Sequence, residues 1–377
     1  MVILAISILT GCLTLLYLCM ILFLKLGWGS IPYFKKMDGN PTTFVSILIA
    51  ARNEEGKIER TIGDILAQNY SPKYFELIVV DDHSTDRTSD IVTSFSSRGV
   101  KLIKLNESEK LNSYKKKAIT EAINLAQGEL IITTDADCRM SESWLKTIVA
   151  FYESGQYNMI SSPVVYFEEK NSFEEMQTLE FLFLIGLGAA GIGNRLPATC
   201  NGANLAYRKD VFIKLHGFKG IDDLASGDDE LFLHKVASAF PGTIGFCKSR
   251  DAIVYTHAKE NLREFIQQRK RWASKSTRYK NKGVVFLGLS VWLFNLMFLV
   301  NFVLGFTDPF FWKIGLMSLV LKMSVELLFL FPVCSFAERK RLLFYVPLST
   351  LVHIFYLVFI GIAGNSGKYK WKGRMVR

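Results

Sequence analysis

The sequence predicts an α/β domain with a mostly parallel sheet, flanked at both ends by helices that cross a membrane. Two observations support this prediction. Strand and helix patterns alternate through residues 44–134. Residues 2–24 and 283–306 carry no charge, and each run is longer than the roughly 20 residues that span a bilayer. A purely soluble protein is therefore excluded.

The N-terminal segment, residues 1–26, is predicted to be a permanent transmembrane helix, followed by a linker at 27–43. A signal peptide is disfavoured because the apolar run is too long, lacks a basic start and precedes no small-residue cleavage site. Lys25, Lys35 and Lys36 follow the apolar run. Because basic residues favour the cytoplasmic side, the next domain is expected in the cytoplasm.

Residues 44–258 carry the α/β pattern. Short apolar runs predict four strands: FVSILIA (44–50), FELIVV (75–80), VKLIKL (100–105) and ELIITT (129–134). Helical spacing of apolar residues falls between them, so helices are expected on both faces of the sheet. The run FLFLIGLGAAGIG (181–193) is too short to span a bilayer. It is predicted to be a buried core helix, with an interfacial segment as the alternative.

Residues 283–363 form a C-terminal membrane region of two or three segments, with candidate spans at 283–306, about 311–335 and 342–363. Lys322 and Glu326 are four residues apart in the second span, where pairing would lower the cost of burial. Four spans in total would place the basic tail, 364–377, outside the cell. That placement breaks the positive-inside rule, so either the rule fails here or one segment is re-entrant.

The net charge of +10 is concentrated in two stretches. Residues 259–282 hold nine Lys or Arg against two Glu, and residues 365–377 hold five Lys or Arg and no acid. Both flank apolar segments, which indicates contact with a membrane surface rather than with nucleic acid. Residues 259–282 are thus predicted to form a basic interfacial helix. Four of its cations are expected to face lipid headgroups: Arg269, Lys270, Lys275 and Arg278.

Polar clusters follow three of the predicted strands. They are Arg52-Asn53-Glu54-Glu55, Asp81-Asp82-His83-Ser84-Thr85-Asp86 and Asp135-Ala136-Asp137. Helix capping accounts for Ser84 and Asp86 but not for all three clusters. Ligands of parallel α/β sheets bind at the carboxyl ends of strands, and carboxylates two apart suggest a divalent metal held with substrate phosphates. No dinucleotide fingerprint or P-loop motif occurs.

Five motifs in order resemble glycosyltransferase family 2 over about residues 44–275. They are VSILIAARNEE, LIVVDDHSTD, DAD at 135–137, GDDELF at 227–232 and QRKRW at 268–272. The resemblance implies a GT-A nucleotide-diphospho-sugar transferase fold, Rossmann-like, and inverting transfer from a nucleotide-sugar. The flanking helices are similar to those of the membrane-bound branch of that family.

The resemblance also implies roles on the donor side. Asn53, Glu54, Asp81 and Asp82 would contact the donor nucleotide. Asp137 would ligate Mg²⁺ or Mn²⁺, and Asp135 would support the ribose or the water shell of the metal. Lys115 matches a lysine that approaches the donor, although Tyr114 replaces the usual preceding glycine.

Further roles follow for the acceptor side and the chemistry. Asp229 would be the catalytic base, with Asp228 at an acidic position beside it; the alternative is a helix N-terminus, where acidic residues are favourable. Gln268, Arg271 and Trp272 match QxxRW, with Arg271 clamping phosphate and Trp272 walling the acceptor, or else anchoring the membrane surface. Asn201 and Gly202 resemble a loop near the acceptor sugar; an ordinary turn before a strand is the alternative.

The leading hypothesis is a multi-pass enzyme of the cell inner membrane, with its catalytic domain facing the cytoplasm. It would transfer a sugar from a nucleotide-sugar, a UDP-sugar by preference, to a lipid or lipid-linked acceptor. A processive polysaccharide synthase, a catalytically inactive nucleotide-sugar-binding membrane protein and a glycoside hydrolase are the alternatives. The expected partners are the donor, the acceptor and the membrane, without nucleic acid. Six cysteines without a CxxC pair predict neither disulfides nor a zinc site.

Overall fold

The computed structural model describes residues 2–35, 39–106, 111, 113–224, 226–275, 279, 282–363, 369–371 and 374–376. The chain divides into two compact units. The α/β unit comprises Ile31–Glu168, Gly191–Ala258 and Lys368–Arg377, and the helical unit comprises Met1–Ser30, Glu169–Ala190 and Lys259–Gly367.

Helices and strands are numbered along the chain. The described α-helices are α1 (Val2–Ser30), α2 (Ile58–Leu66), α3 (Thr88–Ser94), α4 (Tyr114–Leu125), α5 (Trp144–Glu153), α6 (Ser172–Gly193), α7 (Lys209–Lys214), α8 (Glu230–Ala239), α9 (Leu262–Ser274), α10 (Lys282–Leu304), α11 (Phe310–Phe336) and α12 (Val346–Ala363). The described strands are β1 (Val45–Ala51), β2 (Phe75–Asp81), β3 (Val100–Lys104), β4 (Leu130–Asp135), β5 (Arg139–Met140), β6 (Met159–Ser161), β7 (Val164–Tyr166), β8 (Leu205–Arg208), β9 (Ile244–Phe246), β10 (Val254–Thr256), β11 (Tyr369–Trp371) and β12 (Arg374–Val376).

The α/β unit is built on a sheet with strand order β3-β2-β1-β4-β8-β6-β9. The first four strands in this order are parallel, and β8 runs antiparallel to both of its neighbours. A small second sheet has the order β5-β10-β7. The predicted mostly parallel α/β fold is therefore confirmed. The antiparallel β8 belongs to the less regular second half and directly follows the 3₁₀ turn Gly202–Asn204, which agrees with the alternative prediction of a turn before a strand there.

The central strands are buried on both faces. β1 and β2 carry runs of Ile, Leu and Val with almost no exposed side chain, as expected for a parallel sheet covered by helices on both sides. On one face, Ile119 and Ile123 of α4 pack in a buried cluster with Leu48, Ile78 and Ile131 of the sheet. Burial of this apolar surface stabilises the unit by roughly 25 cal/mol per Å².

The helical unit contains the predicted membrane segments. Among the described residues, five helices are long and apolar enough to cross a membrane: Ile3–Ser30, Ser172–Gly193, Lys282–Leu304, Phe310–Phe336 and Lys340–Ala363. The last includes a short 3₁₀ stretch, Lys340–Tyr345, before α12. All three C-terminal candidates thus form long helices, while the orientation of each helix across a membrane stays a prediction.

The prediction for residues 181–193 is wrong about length. α6 begins nine residues earlier, at Ser172, and its first turn contains Glu174 and Glu175. These acids favour a helix N-terminus but interrupt the apolar run from which the length was read. The expectation of burial agrees with the structure, because 56% of the most apolar window of α6 is buried.

The other boundaries shift little or fall partly outside the description. α1 runs to Ser30 rather than to residue 26, and the basic helix predicted over 259–282 is shorter, from Leu262 to Ser274. Lys36 and Arg278 lie outside the described residues, as do 364–368, 372–373 and 377 of the basic tail. The described parts of that tail pair as the antiparallel strands β11 and β12.

Candidate active site

The register of the sheet brings three predicted polar clusters to one edge. Ala51 at the end of β1 is opposite Asp81 at the end of β2, and Ala50 is opposite Asp135 at the end of β4. Asn53 and Asp137 follow two of these strand ends directly. The carboxyl ends of β1, β2 and β4 therefore form one continuous polar edge, as the strand pattern predicts.

Two loops on this edge are bonded to each other. The backbone N–H of Asn53 donates to Oγ of Ser84 at 3.0 Å, and Oδ1 of Asn53 accepts from the N–H of Thr85 at 2.8 Å. Asn53 and His83 both have left-handed backbones, with φ of 51° and 54°. Asparagine and histidine tolerate this conformation better than most residues, so local sequence and loop pairing agree.

Asp81 and Asp82 are both buried at the end of β2. The carboxylate of Asp81 accepts from the N–H of Ser84 at 3.1 Å and from the hydroxyl of Ser89 at 2.6 Å. Oδ1 of Asp82 lies 3.0 Å from Nδ1 of His83. Asp81 therefore shapes the loop that follows β2, which the motif comparison alone does not indicate.

The backbone of Glu54 is hydrogen-bonded at the same edge of the sheet. Its N–H donates to Oγ1 of Thr88 at 2.8 Å, at the first turn of α3. The neighbouring Glu55 N–H donates to Asp86, and Asp86 also accepts from Thr88. Burial acts to raise the pKa of Asp86, but these hydrogen bonds outweigh it and lower the pKa. Asp86 thus bonds both the loop after β1 and the first residue of α3, while the N-cap position of α3 is Arg87, which makes no side-chain cap bond.

Lys115 joins two of the predicted acidic motifs. Its Nζ lies 2.9 Å from Oδ1 of Asp135 and 3.3 Å from Oδ2 of Asp228. Burial alone would lower the pKa of Lys115, but Asp135 and Asp228, with a smaller effect of Asp229, raise it above its ordinary value. Lys115 is therefore a permanent cation between β4 and α8. The Tyr114 that precedes it does not prevent this placement.

Asp229 lies at the N-terminus of α8 and is held by two backbone donors. Oδ1 accepts from Glu230 N–H at 2.7 Å, and Oδ2 accepts from Gly202 N–H at 3.1 Å. A Cβ on Gly202 would lie 3.3 Å from Cβ of Asp229 and 3.5 Å from Oδ2 of Asp228. The loop that contains Gly202 can lie this close to Asp229 because glycine has no side chain. The side chain of Asn201 accepts from the N–H of Ala203 and so caps the 3₁₀ turn of this loop. The helix-cap and catalytic readings of Asp229 are compatible.

The residues at the end of β4 suit a divalent cation shared with a substrate. Asp135 and Asp137 are partly exposed hard oxygen ligands, and Oδ2 of Asp137 lies 3.7 Å from Nζ of Lys57. Within the described residues, no group of three or more His, Cys, Asp or Glu could hold a metal ion. Mg²⁺ is commonly bound by one or two carboxylates, with phosphates and water completing its shell. The donor set therefore fits a cation carried in with a diphosphate.

The three QxxRW residues lie on α9 in the helical unit. Gln268 accepts a hydrogen bond from the guanidinium of Arg269. Trp272 stacks on Phe181 of α6 with ring centroids 6.0 Å apart. The backbone carbonyl of Arg271 accepts from Ser274 at 2.8 Å. These contacts describe how α9 is held within its own unit.

Arg269 and Lys275 do not lie at a lipid surface, contrary to the sequence-based expectation. Arg269 is 3% exposed and makes two hydrogen bonds to Glu180 of α6, at 3.1 and 2.7 Å. Its guanidinium also lies 4.3 Å from the ring centroid of Trp272. Lys275 is buried as well, whereas Lys270 is half-buried beside Phe359. A run of charges does not reveal which member faces inward.

Residues 46–215 match the family model described as "Glycosyl transferase family 2". A segment of 121 residues is 32% identical to a beta-monoglucosyldiacylglycerol synthase of Trichormus variabilis, covering 32% of this chain and 26% of the relative. A segment of 178 residues is 24% identical to a glucosyl-dolichyl phosphate glucuronosyltransferase of Haloferax volcanii, covering 46% of this chain and 55% of that protein. The matches thus span less than two thirds of these relatives.

Among solved structures, the chain is similar to a mannosyltransferase from Pyrobaculum calidifontis in complex with GDP-Man and Mn²⁺. The TM-score is 0.56 at 17% identity, covering 93% of this chain and 98% of the mannosyltransferase. This likeness supports the fold, which has the central sheet described above. The family match covers residues 46–215, so this part of the chain is a glycosyltransferase family 2 domain.

Proposed function

We propose that this protein is a membrane-anchored, inverting glycosyltransferase that transfers one sugar from a UDP-sugar to a lipid or lipid-linked acceptor. The observation that carries the proposal is the bridge by Lys115 between Asp135 and Asp228, with Asp229 directly beside it. Lys115 thus connects the end of β4, where a diphosphate is proposed to bind, to the start of α8, where Asp229 is proposed to act as the base. Both belong to the α/β unit.

In the proposed reaction, an acceptor hydroxyl attacks the anomeric carbon of the donor sugar from the face opposite the diphosphate. A bond forms between the acceptor oxygen and that carbon, and the bond from the carbon to the diphosphate oxygen breaks. Asp229 takes the hydroxyl proton, and the nucleoside diphosphate leaves with the bonding electrons. The N–H groups of Gly202 and Glu230 fix the carboxylate plane of Asp229.

Positive charge is proposed to stabilise the diphosphate of the donor. Asp135 and Asp137 would hold Mg²⁺ or Mn²⁺, which supplies positive charge to a departing diphosphate when bound. Lys115 keeps Asp135 and Asp228 from repelling each other and adds a fixed cation beside the same site. Asn53, Glu54, Asp81 and Asp82 are proposed to contact the nucleotide, with the paired loops after β1 and β2 forming its walls.

The lipid acceptor is proposed on two grounds. The relatives are named for a glycolipid, monoglucosyldiacylglycerol, and for a lipid-linked sugar, glucosyl-dolichyl phosphate. In the part of the chain that the structure describes, five helices are long and apolar enough to cross a membrane. Roles for Gln268, Arg271 and Trp272, and for Asn201 on the acceptor side, stay predictions from the family resemblance.

The direct test is incorporation of label into lipid. Membranes from cells that express the protein are incubated with radiolabelled UDP- and GDP-sugars in the presence of Mn²⁺, and the lipid fraction is extracted. We expect a discrete labelled glycolipid from one donor. Absence of label in both lipid and polymer with every donor rejects the proposal, and a labelled polymer of many lengths supports the processive alternative instead.

A substitution pair connects the activity to the site. Asp229→Asn is expected to abolish transfer while nucleotide binding persists, because the amide keeps the shape but loses the base. Asp210→Asn is the matched control, since Asp210 is a carboxylate of the same unit that pairs with Arg208 at 2.9 Å. Simultaneous loss of nucleotide binding in Asp229→Asn contradicts the role of Asp229 as a base.

A further inference from the structure

Lys116 is a buried cation that none of the motifs includes. Its side chain is 2% exposed, although it lies in the first turn of α4 within a run of three lysines. Nζ donates to three backbone carbonyls, those of Ile221 at 2.5 Å, Leu224 at 2.8 Å and Ser226 at 2.8 Å. An ammonium group has three donors, so one short segment of chain uses every N–H of Lys116.

The segment held by Lys116 leads directly into the acidic pair. Ser226 is followed by Gly227, whose φ of +84° few other residues adopt. A Cβ on Gly227 would lie 2.9 Å from the side chain of Leu231. Asp228 and Asp229 come next, at the start of α8. The backbone between the last anchored carbonyl and the carboxylates is therefore short and restricted.

A hydrophobic residue would fit the position of Lys116 on the pattern of α4. Ile119 and Ile123 follow at intervals of three and seven residues, on the same buried stripe. Burial lowers the pKa of Lys116 even though Asp228 and Asp229 act to raise it. A buried charge is unfavourable unless its hydrogen bonds are complete. The ammonium group fixes the positions of three carbonyls by donating hydrogen bonds to them. An apolar side chain could not do this.

We propose that Lys116 is a positioning residue for sugar transfer. By holding the carbonyls of Ile221, Leu224 and Ser226 against α4, it sets where Asp228 and Asp229 stand relative to Lys115 and Asp135. Adjacent lysines thus have different tasks: Lys115 balances the charge of the carboxylates, and Lys116 fixes the backbone that carries them. This inference rests on the proposed function, since it assigns Lys116 an effect on the rate of that reaction.

The test compares three variants of the full-length protein purified in detergent. Lys116→Met keeps the length of the side chain and removes its donors, and Lys116→Arg keeps a cation with several donors. Lys117→Met is the control, because Lys117 is 41% exposed and pairs with Glu121 on the surface of the same helix. The measurements are kcat, donor KM, UDP affinity and hydrogen–deuterium exchange over residues 221–229.

We expect Lys116→Met to lower kcat by roughly a hundredfold, the size of effect that a misplacement of about 1 Å produces. Donor KM and UDP affinity should stay within about twofold, because the loops that bind the nucleotide do not include segment 221–226. Exchange over 221–229 should accelerate in Lys116→Met alone. Lys116→Arg should recover part of kcat, and Lys117→Met should match the unsubstituted protein.

Three results overturn the inference. One is an unchanged kcat in Lys116→Met when the unsubstituted protein is active. Another is a parallel loss of kcat and UDP affinity, which indicates general damage to the fold. The third is unchanged exchange over 221–229, which shows that Lys116 does not anchor the segment. Absence of transfer by the unsubstituted protein, in contrast, rejects the proposed function itself.

Discussion

Nζ of Lys115 lies 3.3 Å from Oδ2 of Asp228, and the same ammonium lies 2.9 Å from Asp135. The three residues come from the first turn of α4, the end of β4 and the start of α8. Two carboxylates on different elements can approach one another here because a cation stands between them. This relationship connects the strand that suits a diphosphate to the helix that bears the proposed base.

The first prediction concerns this cation. Lys115→Met should lower kcat/KM by roughly a hundredfold or more, because Asp135 and Asp228 then repel each other and the donor loses a positive neighbour. Lys115→Arg should retain more activity, since it keeps the charge. Steady-state kinetics with the donor identified by lipid labelling provide the measurement. Equal activity of Lys115→Met and the unsubstituted protein would show that the bridge has no part in transfer.

The second prediction concerns the glycine beside the proposed base. Gly202→Ala places a methyl group 3.3 Å from Cβ of Asp229, so the carboxylate must move by a few tenths of an ångström. We expect kcat to fall by about tenfold with little change in donor KM, since only the acceptor side of the site is disturbed.

The control for that substitution is another glycine. Gly63→Ala lies within α2, where nothing is within 4 Å of the new Cβ. It should leave kcat unchanged and stabilise the helix by roughly 0.5–1 kcal/mol. A normal kcat for Gly202→Ala would contradict a tight arrangement of Gly202 and Asp229 during catalysis.

The third prediction concerns the metal. In the presence of UDP, the protein should remove free Mn²⁺ from solution, as followed by the loss of the free-ion signal in electron paramagnetic resonance. Asp137→Asn should weaken this binding by roughly tenfold or more, because a neutral amide replaces a carboxylate ligand. Asp90→Asn, an acidic residue in the first turn of α3, should bind as the unsubstituted protein does. Equal Mn²⁺ binding by both variants would remove Asp137 from the ligand set.

The sheet could be predicted closely from the sequence, and the reason is physical. β1 to β4 begin and end within one residue of the apolar runs that predict them. Strands buried on both faces need uninterrupted apolar residues, so the ends of each apolar run predict the ends of the strand. β8 could not be found in this way, because its four residues, LAYR, show neither a long apolar run nor clear alternation.

Part of the site could likewise be predicted from the sequence, and part could not. The polar clusters at strand ends follow from topology, so the sequence could place Asp81 and Asp135 on one edge. The bridge of Lys115 to Asp228 could not be foreseen, since the two residues are far apart in the chain and only tertiary packing brings them together. The sequence does contain a pattern that could have predicted the burial of Lys116 and Arg269. Lys116 falls on the apolar stripe of α4, and Arg269 lies between Phe265 and Trp272 at helical spacing.

The fourth prediction concerns Arg269 and Glu180. Because both are buried, Arg269→Met removes the cation that pairs with the carboxylate of Glu180 and should destabilise the helical unit by roughly 3–5 kcal/mol. Arg269→Lys should also destabilise, since lysine can neither bond Glu180 through two parallel N–H groups nor stack flat on Trp272. Thermal unfolding in detergent measures the effect.

The double variant and a surface control make this test specific. Arg269→Met with Glu180→Gln should recover part of the stability, because no charge is then buried alone. Arg263→Met, at an exposed position of the same helix, should unfold at the temperature of the unsubstituted protein. If Arg269→Met behaves like Arg263→Met, Arg269 is solvated or faces lipid headgroups after all.

The fifth prediction concerns the ion pair that the sequence predicts within α11. Lys322 and Glu326 are in contact and buried. The carboxylate of Glu326 also accepts from the hydroxyl of Tyr17 on α1 at 2.5 Å and from that of Thr350 on α12 at 2.9 Å. The pair therefore connects three apolar helices. In an apolar bundle, a network of this kind fixes which helices pack together.

Removing one partner should be worse than removing both. Glu326→Gln leaves the ammonium of Lys322 buried without a counter-ion, so we expect a lower yield of folded protein in membranes and a loss of roughly 3–5 kcal/mol in detergent. Lys322→Met with Glu326→Gln should recover much of that loss, because the amide oxygen still accepts from Tyr17 or Thr350 and no charge remains. Ser324→Ala, exposed on the same helix, is the control. Equal stability of the single and double variants would mean that Lys322 finds another counter-charge or is solvated, and that its charge does not depend on Glu326.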